Sequence, residues 1–275
     1  ETLMIRIGAV WDRTTEVIAG RASLLAWLAG LFLFAPSMLQ AIMRAAAGES
    51  PMGSLKLLAF VVGLVVAVLA IWGTLAMTAM TSDPAVDRHD AIAIGRRRLP
   101  AGIAVLLVAV AATFVVVVVP LIYLIAGSVD VARLEQGVSA SSLNASASAA
   151  VPPLLLVLSL AALWLSARLL PLFAVVTNER RGLGAFARSF ALTRGSTLKL
   201  IGLMLLYAIV AIIVLTAITW VLGSVAQIVF GDGGRMWTML LLALATGIAT
   251  AGFSVLQTTF STQFYLAARE RLDNA

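Results

Sequence analysis

From Leu154 to Leu200 the chain reads LLLVLSLAALWLSARLLPLFAVVTNERRGLGAFARSFALTRGSTLKL. The first half, Leu154 to Val176, is apolar without alternation and long enough to cross a bilayer. Hydrocarbon offers backbone N–H and C=O groups no water, so a continuous apolar run of about 20 residues reads as a helix that satisfies them internally. The second half turns basic and amphipathic, with Arg180, Arg181, Arg188, Arg194 and Lys199, before the next apolar run opens at Leu200.

Five more runs share the character of the first: Leu24 to Met43, Leu57 to Met80, Ile103 to Ile125, Leu200 to Val225 and Met236 to Tyr265. The last two exceed the bilayer, so they are expected to tilt or to extend past its surface. Composition agrees: 61% of the 275 residues are hydrophobic and 12% charged, with a mean hydropathy of +1.05. A soluble domain carries about twice that charge. The expected fold is all-α, a polytopic membrane helix bundle of six transmembrane helices in one domain over residues 1–275. A charged segment precedes the first run and no small-residue cleavage site follows it, so it is not read as a removable signal peptide.

Arginine placement sets the orientation. Arg6, Arg13, Arg21, Arg88, Arg96, Arg97, Arg98, Arg180, Arg181, Arg188, Arg194, Lys199, Arg269 and Arg271 fall on one side of the spans. Only Arg44, Lys56, Arg133 and Arg235 fall on the other. By the positive-inside rule both termini are cytoplasmic, in what reads as a bacterial inner membrane. The net charge of +6 is accounted for by attraction of this face to anionic headgroups, about 1 kcal/mol per basic residue near the surface. Nucleic acid is not an expected partner. The absence of cysteine excludes disulfides and thiolate chemistry.

Each hairpin of spans is introduced by a short amphipathic segment expected to lie in the cytoplasmic interface: 5–20, 84–98 and 183–194. AVWDRTTEVIAGRASLLAWL from Ala9, AVDRHDAIAIGRRRLPAGIAVL from Ala85 and AFARSFALTRGSTLKLIGL from Ala185 share an apolar rhythm, then Gly beside Arg, then a span. A three-hairpin internal repeat and three unrelated elbows both fit. In the third segment Leu183, Phe186, Phe190 and Leu192, with Ala187 and Ala191, form an apolar stripe flanked by Arg181, Arg188 and Arg194. Gly195 is placed to end this helix in a left-handed conformation, and Ser196 or Thr197 to cap the next.

The tract Gly127 to Pro152 is Ala/Ser-rich, with helical character near Val131 to Gln136 and a three-residue glycosylation pattern at Asn144. Pro120 should kink span three, while Pro152 and Pro153 suit the first turn of span four.

Arg168 is the ionisable residue inside a span, about 12 Å along the helix from its basic end. A charge at that depth needs to snorkel or to find a partner. A structural pairing with an acid or carbonyls, lipid phosphate and substrate handling are the three readings. Glu179 is the nearest acid, and pairing would need the helix to break after Thr177. Span six carries Thr246, Thr250, Ser254, Gln257, Ser261 and Tyr265 at spacings of three or four, a polar stripe on one face. With Gly247, Ala251 and Gly252 beside it, the stripe fits a packed seam; a hydrated path is the alternative. Thr74, Thr78 and Thr81 on span two make a shorter stripe.

No reactive constellation accompanies these features. His89 is the single histidine, in a loop with Asp87 and Asp90 at neighbouring positions, a spacing poorly suited to a metal. Zinc-protease and Walker-type motifs are missing. No catalytic residue, metal ligand or cofactor is assigned, and an enzyme is not expected.

The run Arg168, Pro171, Glu179, Gly182 or Gly184, Ala185, Arg188-Ser189, Leu192-Thr193 and Arg194-Gly195 resembles the signature of the glycerophosphoryl diester phosphodiesterase membrane-domain family, with its YciC-like inner-membrane relatives. Tyr265 to Arg271 looks like that family's aromatic and basic tail, and Ile7 to Thr14 like its opening helix. The resemblance implies a six-span bacterial membrane module. No phosphodiesterase catalytic domain lies within these residues, so hydrolysis is not carried over to them.

Two functions are therefore expected. The first is a non-catalytic lipid-associated scaffold or accessory subunit of a membrane complex, binding preferably anionic phospholipids through Arg168, Arg181, Arg188, Arg194, Arg96, Arg97 and Arg98, with other membrane proteins as candidate partners. The second is a transporter or lipid-translocating protein using Thr246, Thr250, Ser254, Gln257 and Ser261.

Overall fold

The structure, a computed structural model, describes residues 6–47, 53–120, 122, 145–231 and 234–274. Its regular elements are helices: α1 (Ile7–Ala29), α2 (Ala35–Ala47), α3 (Gly53–Ser82), α4 (Arg88–Thr113), α5 (Ala145–Leu169), α6 (Leu172–Asn178), α7 (Ala185–Leu192), α8 (Thr197–Phe230) and α9 (Arg235–Asp273). Six stretches are long and apolar enough to cross a membrane: Ile7–Met43, Leu57–Ser82, Arg88–Val118, Pro152–Asn178, Thr197–Phe230 and Met236–Asp273. The protein is a helical membrane bundle. Its exterior says the same, because Leu198 and Ile228 are each 84% exposed and such a surface is stable only against hydrocarbon.

Proline shapes three of the spans. A π-helical segment, Gly30–Phe34, joins α1 to α2 two residues before Pro36, and another, Phe114–Val118, follows α4 two residues before Pro120. Proline cannot donate to the carbonyl four residues back and its ring presses on it; the wider π turn relieves both. The bend expected at Pro120 thus takes the form of a widened turn. Span four breaks outright at Leu170–Pro171, between α5 and α6. This break within the span is additional to the end of α6 at Asn178, beside the Thr177 position that pairing of Arg168 with Glu179 would have required. Pro152 and Pro153 lie inside α5, which begins at Ala145, and not in its first turn. Val131 to Gln136 and Asn144 lie outside the described residues.

The three amphipathic segments diverge. The first two run directly into their spans, with Arg21 leaving helical geometry (φ −128°, ψ 21°) and α4 continuing through Pro100. The third alone forms a separate helix, α7, which ends at Leu192 with Thr193 as its cap; the left-handed glycine expected to end it, Gly195 at φ +84°, lies three residues beyond Leu192, in the turn before α8. Ser196 occupies the cap of α8 without a side-chain cap bond; Thr197 instead donates back to the Thr193 carbonyl at 3.1 Å. The face that α7 buries is Ala185, Ser189 and Leu192. Leu183, part of the expected apolar stripe, precedes α7 and is 59% exposed.

The core gathers at the arginine-rich end of the bundle. Val10, Leu75, Val105, Leu172, Val175, Leu192, Leu200, Phe264 and Tyr265 pack there as one cluster. α3 and α4 approach closely because two glycines allow it: a Cβ at Gly95 would lie 2.8 Å from Trp72 Cδ1, and one at Gly102 would lie 2.9 Å from Leu75 Cδ1. Trp72 Nε1 donates across this contact to the Ile92 carbonyl at 3.0 Å.

Candidate functional site

The break at Leu170–Pro171 frees backbone carbonyls inside the bundle, and two serines answer them. Ser189 Oγ on α7 donates to the Arg168 carbonyl at 2.7 Å, and Ser261 Oγ on α9 donates to the Leu170 carbonyl at 2.6 Å. Buried carbonyls must be paired, so the break draws α7 and α9 onto the end of α5. Ser189 is fully buried and Ser261 nearly so.

Arg168 also turns its side chain to the C-terminal turn of α7. Nη1 donates to the Phe190 carbonyl at 3.0 Å and to Thr193 Oγ1 at 3.5 Å. Its guanidinium lies 5.3 Å from the centroid of Trp164 and 5.7 Å from that of Phe190. A cation at a helix C-terminus completes the unpaired carbonyls there and meets the negative end of the dipole, and the two ring faces add to the attraction. Nε is buried without a hydrogen-bond partner among the described residues. Of the three readings for Arg168, the geometry is that of the structural one, satisfied by a carbonyl and not by Glu179.

Glu179 finds other cations. Its carboxylate meets Arg181 Nε at 3.0 Å and Arg188 Nε at 2.9 Å, and accepts from Tyr265 Oη at 3.3 Å. The carboxylate side chain is 13% exposed and that of Arg188 25%. One carboxylate therefore links the loop after α6, the helix α7 and the basic end of α9.

A second set of bonds fastens the end of α3. Arg21 Nη1 donates to the Met80 carbonyl at 2.7 Å and to that of Asp83 at 3.3 Å, and Nη2 donates to the Pro84 carbonyl. Gln263 Nε2 donates to the Thr81 carbonyl at 2.9 Å, and Asn178 Nδ2 to Ser82 Oγ at 2.9 Å. The carbonyl-rich end of α3 is thus held from α1, α6 and α9.

The candidate residues separate accordingly. Arg168 is absorbed by α7, and Arg181 and Arg188 by Glu179, while Arg96, Arg97, Arg98 and Arg194 have no ion pair among the described residues. On α9, Thr246 and Ser254 donate to carbonyls of their own helix, Thr250 and Gln257 are exposed, and Ser261 and Tyr265 donate outside the helix, to the Leu170 carbonyl and to Glu179. The buried polar face of α9 is Thr258, Thr259, Ser261, Thr262 and Gln263. The dense run Thr258 to Gln263 was the available signal for it, hidden because it matches no single helical spacing. Thr74, Thr78 and Thr81 also return their hydroxyls to their own helix.

Comparison with family models, with curated proteins and with solved structures finds no match.

Proposed function

We propose that the protein is a non-catalytic bacterial inner-membrane component, a lipid-associated scaffold or accessory subunit of a membrane complex, oriented with its arginine-rich end and both termini in the cytoplasm. The resemblance of Arg168 to Gly195 to the glycerophosphoryl diester phosphodiesterase membrane-domain family supports this reading. The observation that carries it is a division of labour among the arginines. Arg21, Arg168, Arg181 and Arg188 are spent on internal bonds, whereas Arg96, Arg97, Arg98 and Arg194 have no ion pair among the described residues and are available to headgroup phosphates.

Charge reversal should therefore be made at Arg96 and Arg194, since reversing Arg188 would also break its pair with Glu179. At about 1 kcal/mol per charge removed, the double variant Arg96→Glu, Arg194→Glu is expected to lose at least about tenfold in phosphatidylglycerol retention by native mass spectrometry. Retention equal to the parent protein would sink the proposal.

The alternative, a transporter or lipid-translocating protein, draws on one observation: Thr250 and Gln257 are polar and exposed in the apolar span of α9. That reading expects phospholipid scrambling in proteoliposomes, abolished by Gln257→Leu. Absence of scrambling by the parent protein rejects it.

A further inference from the structure

Three of the arginines converge. A pocket of about 210 Å³ opens at the basic end of the bundle between the end of α3, the first turns of α4 and the end of α6. Arg97, Arg98 and Arg180 line it with Asn178 and Thr177, against a single carboxylate, Asp83. None of the three guanidinium groups has an ion pair or side-chain hydrogen bond among the described residues. Three like charges beside one carboxylate are incompletely compensated, and an arrangement that keeps them together is suited to an anion.

Two further observations point the same way. Arg180 is the one described non-glycine residue with positive φ, at 56°. Glycine takes that conformation without cost, whereas a residue with a Cβ is strained there. Strain of this kind persists where the side chain is used, and here it sends an arginine into the pocket wall. The walls are also built in advance. Arg21 holds the carbonyls of Asp83, Pro84 and Val86, and Asn178 is tied to Ser82. Asp83 Oδ1 accepts from the Ala85 amide at 2.8 Å, which engages the one opposing carboxylate with the backbone. The Gly95 contact with Trp72 and Ala76 fixes α4 half a turn before Arg97. A site assembled before its ligand arrives loses less entropy on binding.

We infer that this pocket is a discrete binding site for a phosphomonoester dianion. Three arginines and one carboxylate in the lining leave an excess of two positive charges, which matches a dianion better than a phosphodiester monoanion. Arginine's planar fork suits phosphate oxygens in particular. The volume admits a phosphate with a small esterified group. The ligand is either a phosphomonoester lipid headgroup, as in phosphatidate, or a soluble phosphate ester. This deepens the headgroup reading above from a diffuse basic face to one site, and rests on it only for the lipid source.

The test uses the full chain in phosphatidylcholine nanodiscs with and without a minor fraction of phosphatidate, followed by native mass spectrometry, and separately titrates glycerol 3-phosphate calorimetrically. The parent protein is expected to retain one phosphatidate saturably. Arg98→Gln and Arg180→Gly should each weaken that binding about tenfold, the loss of one charge-assisted contact. Arg180→Gly is the informative variant, because relief of strain predicts an unchanged or higher melting temperature together with the lost ligand. Arg13→Gln, outside both the pocket lining and the headgroup-binding set, should leave saturable binding unchanged. Competition by glycerol 3-phosphate identifies the phosphate itself as what is recognised; phosphatidate binding without competition assigns the lipid source, and glycerol 3-phosphate binding alone assigns the soluble one. Anionic lipid that associates without saturation and equally in all variants overturns the pocket while leaving the headgroup reading intact. No association of any anionic lipid or ester overturns both.

Discussion

Glu179→Ala is expected to destabilise the protein by about 2–3 kcal/mol, more than any other single loss of charge at the basic end. Removing one member of a buried pair leaves its partners uncompensated and costs about 3–5 kcal/mol; the partial exposure of Arg188 and the 55% exposure of Arg181 bring this figure down. Three groups lose their partner together: Arg181, Arg188 and the hydroxyl of the fully buried Tyr265. The consequence spreads, because Arg188 sits on α7, whose Ser189 and Phe190 carry the ties to Arg168. Thermal unfolding in mild detergent should show the loss, and the double variant Glu179→Ala, Arg188→Ala should cost less than the sum of the singles. Additive effects, or a Glu179→Ala melting temperature equal to the parent's, would show that the carboxylate does not join these elements.

Gly95→Leu is expected to cost about 3 kcal/mol or more, through a different cause. Its Cβ alone would meet Trp72 Cδ1 at 2.8 Å, and the Ala76 amide nitrogen and Trp72 carbonyl oxygen at 3.1 Å each. A side chain tip can yield, but the two backbone atoms belong to a helix and cannot move separately. α4 must then withdraw from α3, breaking the Trp72 to Ile92 bond and opening the core around Leu75 and Val105. Overpacking ordinarily costs about 1–3 kcal/mol, and a displaced helix interface lies at the upper end. Gly202→Ala is the control: nothing lies within 4 Å of a Cβ there, and helix propensity alone favours alanine by about 1 kcal/mol. Steric trapping or thermal unfolding should order them with Gly202→Ala at or above the parent and Gly95→Leu far below it. The reverse order would remove the close helix contact as the reason for glycine at position 95.

The two predictions concern residues of different legibility. Glu179 is visible in the sequence as the acid nearest Arg168, yet its partners are Arg181 and Arg188. The span breaks at Leu170–Pro171, a step the apolar run does not announce. Beyond it Glu179 meets Arg188 on α7, while Arg168 reaches the Phe190 carbonyl of the same helix. Gly95 appears in the sequence only as a glycine beside three arginines. Its role is to admit Trp72, which no local pattern announces. Ser189 and Ser261 are similar cases: each is a small polar residue in an apolar setting, and each becomes necessary only once a broken helix leaves a carbonyl opposite it.

What the sequence determined by itself was whatever hydrocarbon and local backbone geometry dictate. Long apolar runs must be helices because no other partner is present for their amides, and a Gly-Ser-Thr step after an amphipathic octet must end one helix and begin another. The number of spans, the gathering of arginines on one side and the turn at Gly195 follow from those rules. Tertiary structure decided which charges meet. Arg168 and Phe190, Glu179 and Tyr265, and Gln263 and Thr81 are brought together across the chain by packing. Arg97, Arg98 and Arg180 come to share one pocket because a close glycine contact, a proline break and a strained backbone conformation act at three separate places. Pairing energy falls steeply with distance, so the chemistry of the basic end is set by ångström-scale placement, which hydropathy and spacing along one helix do not encode.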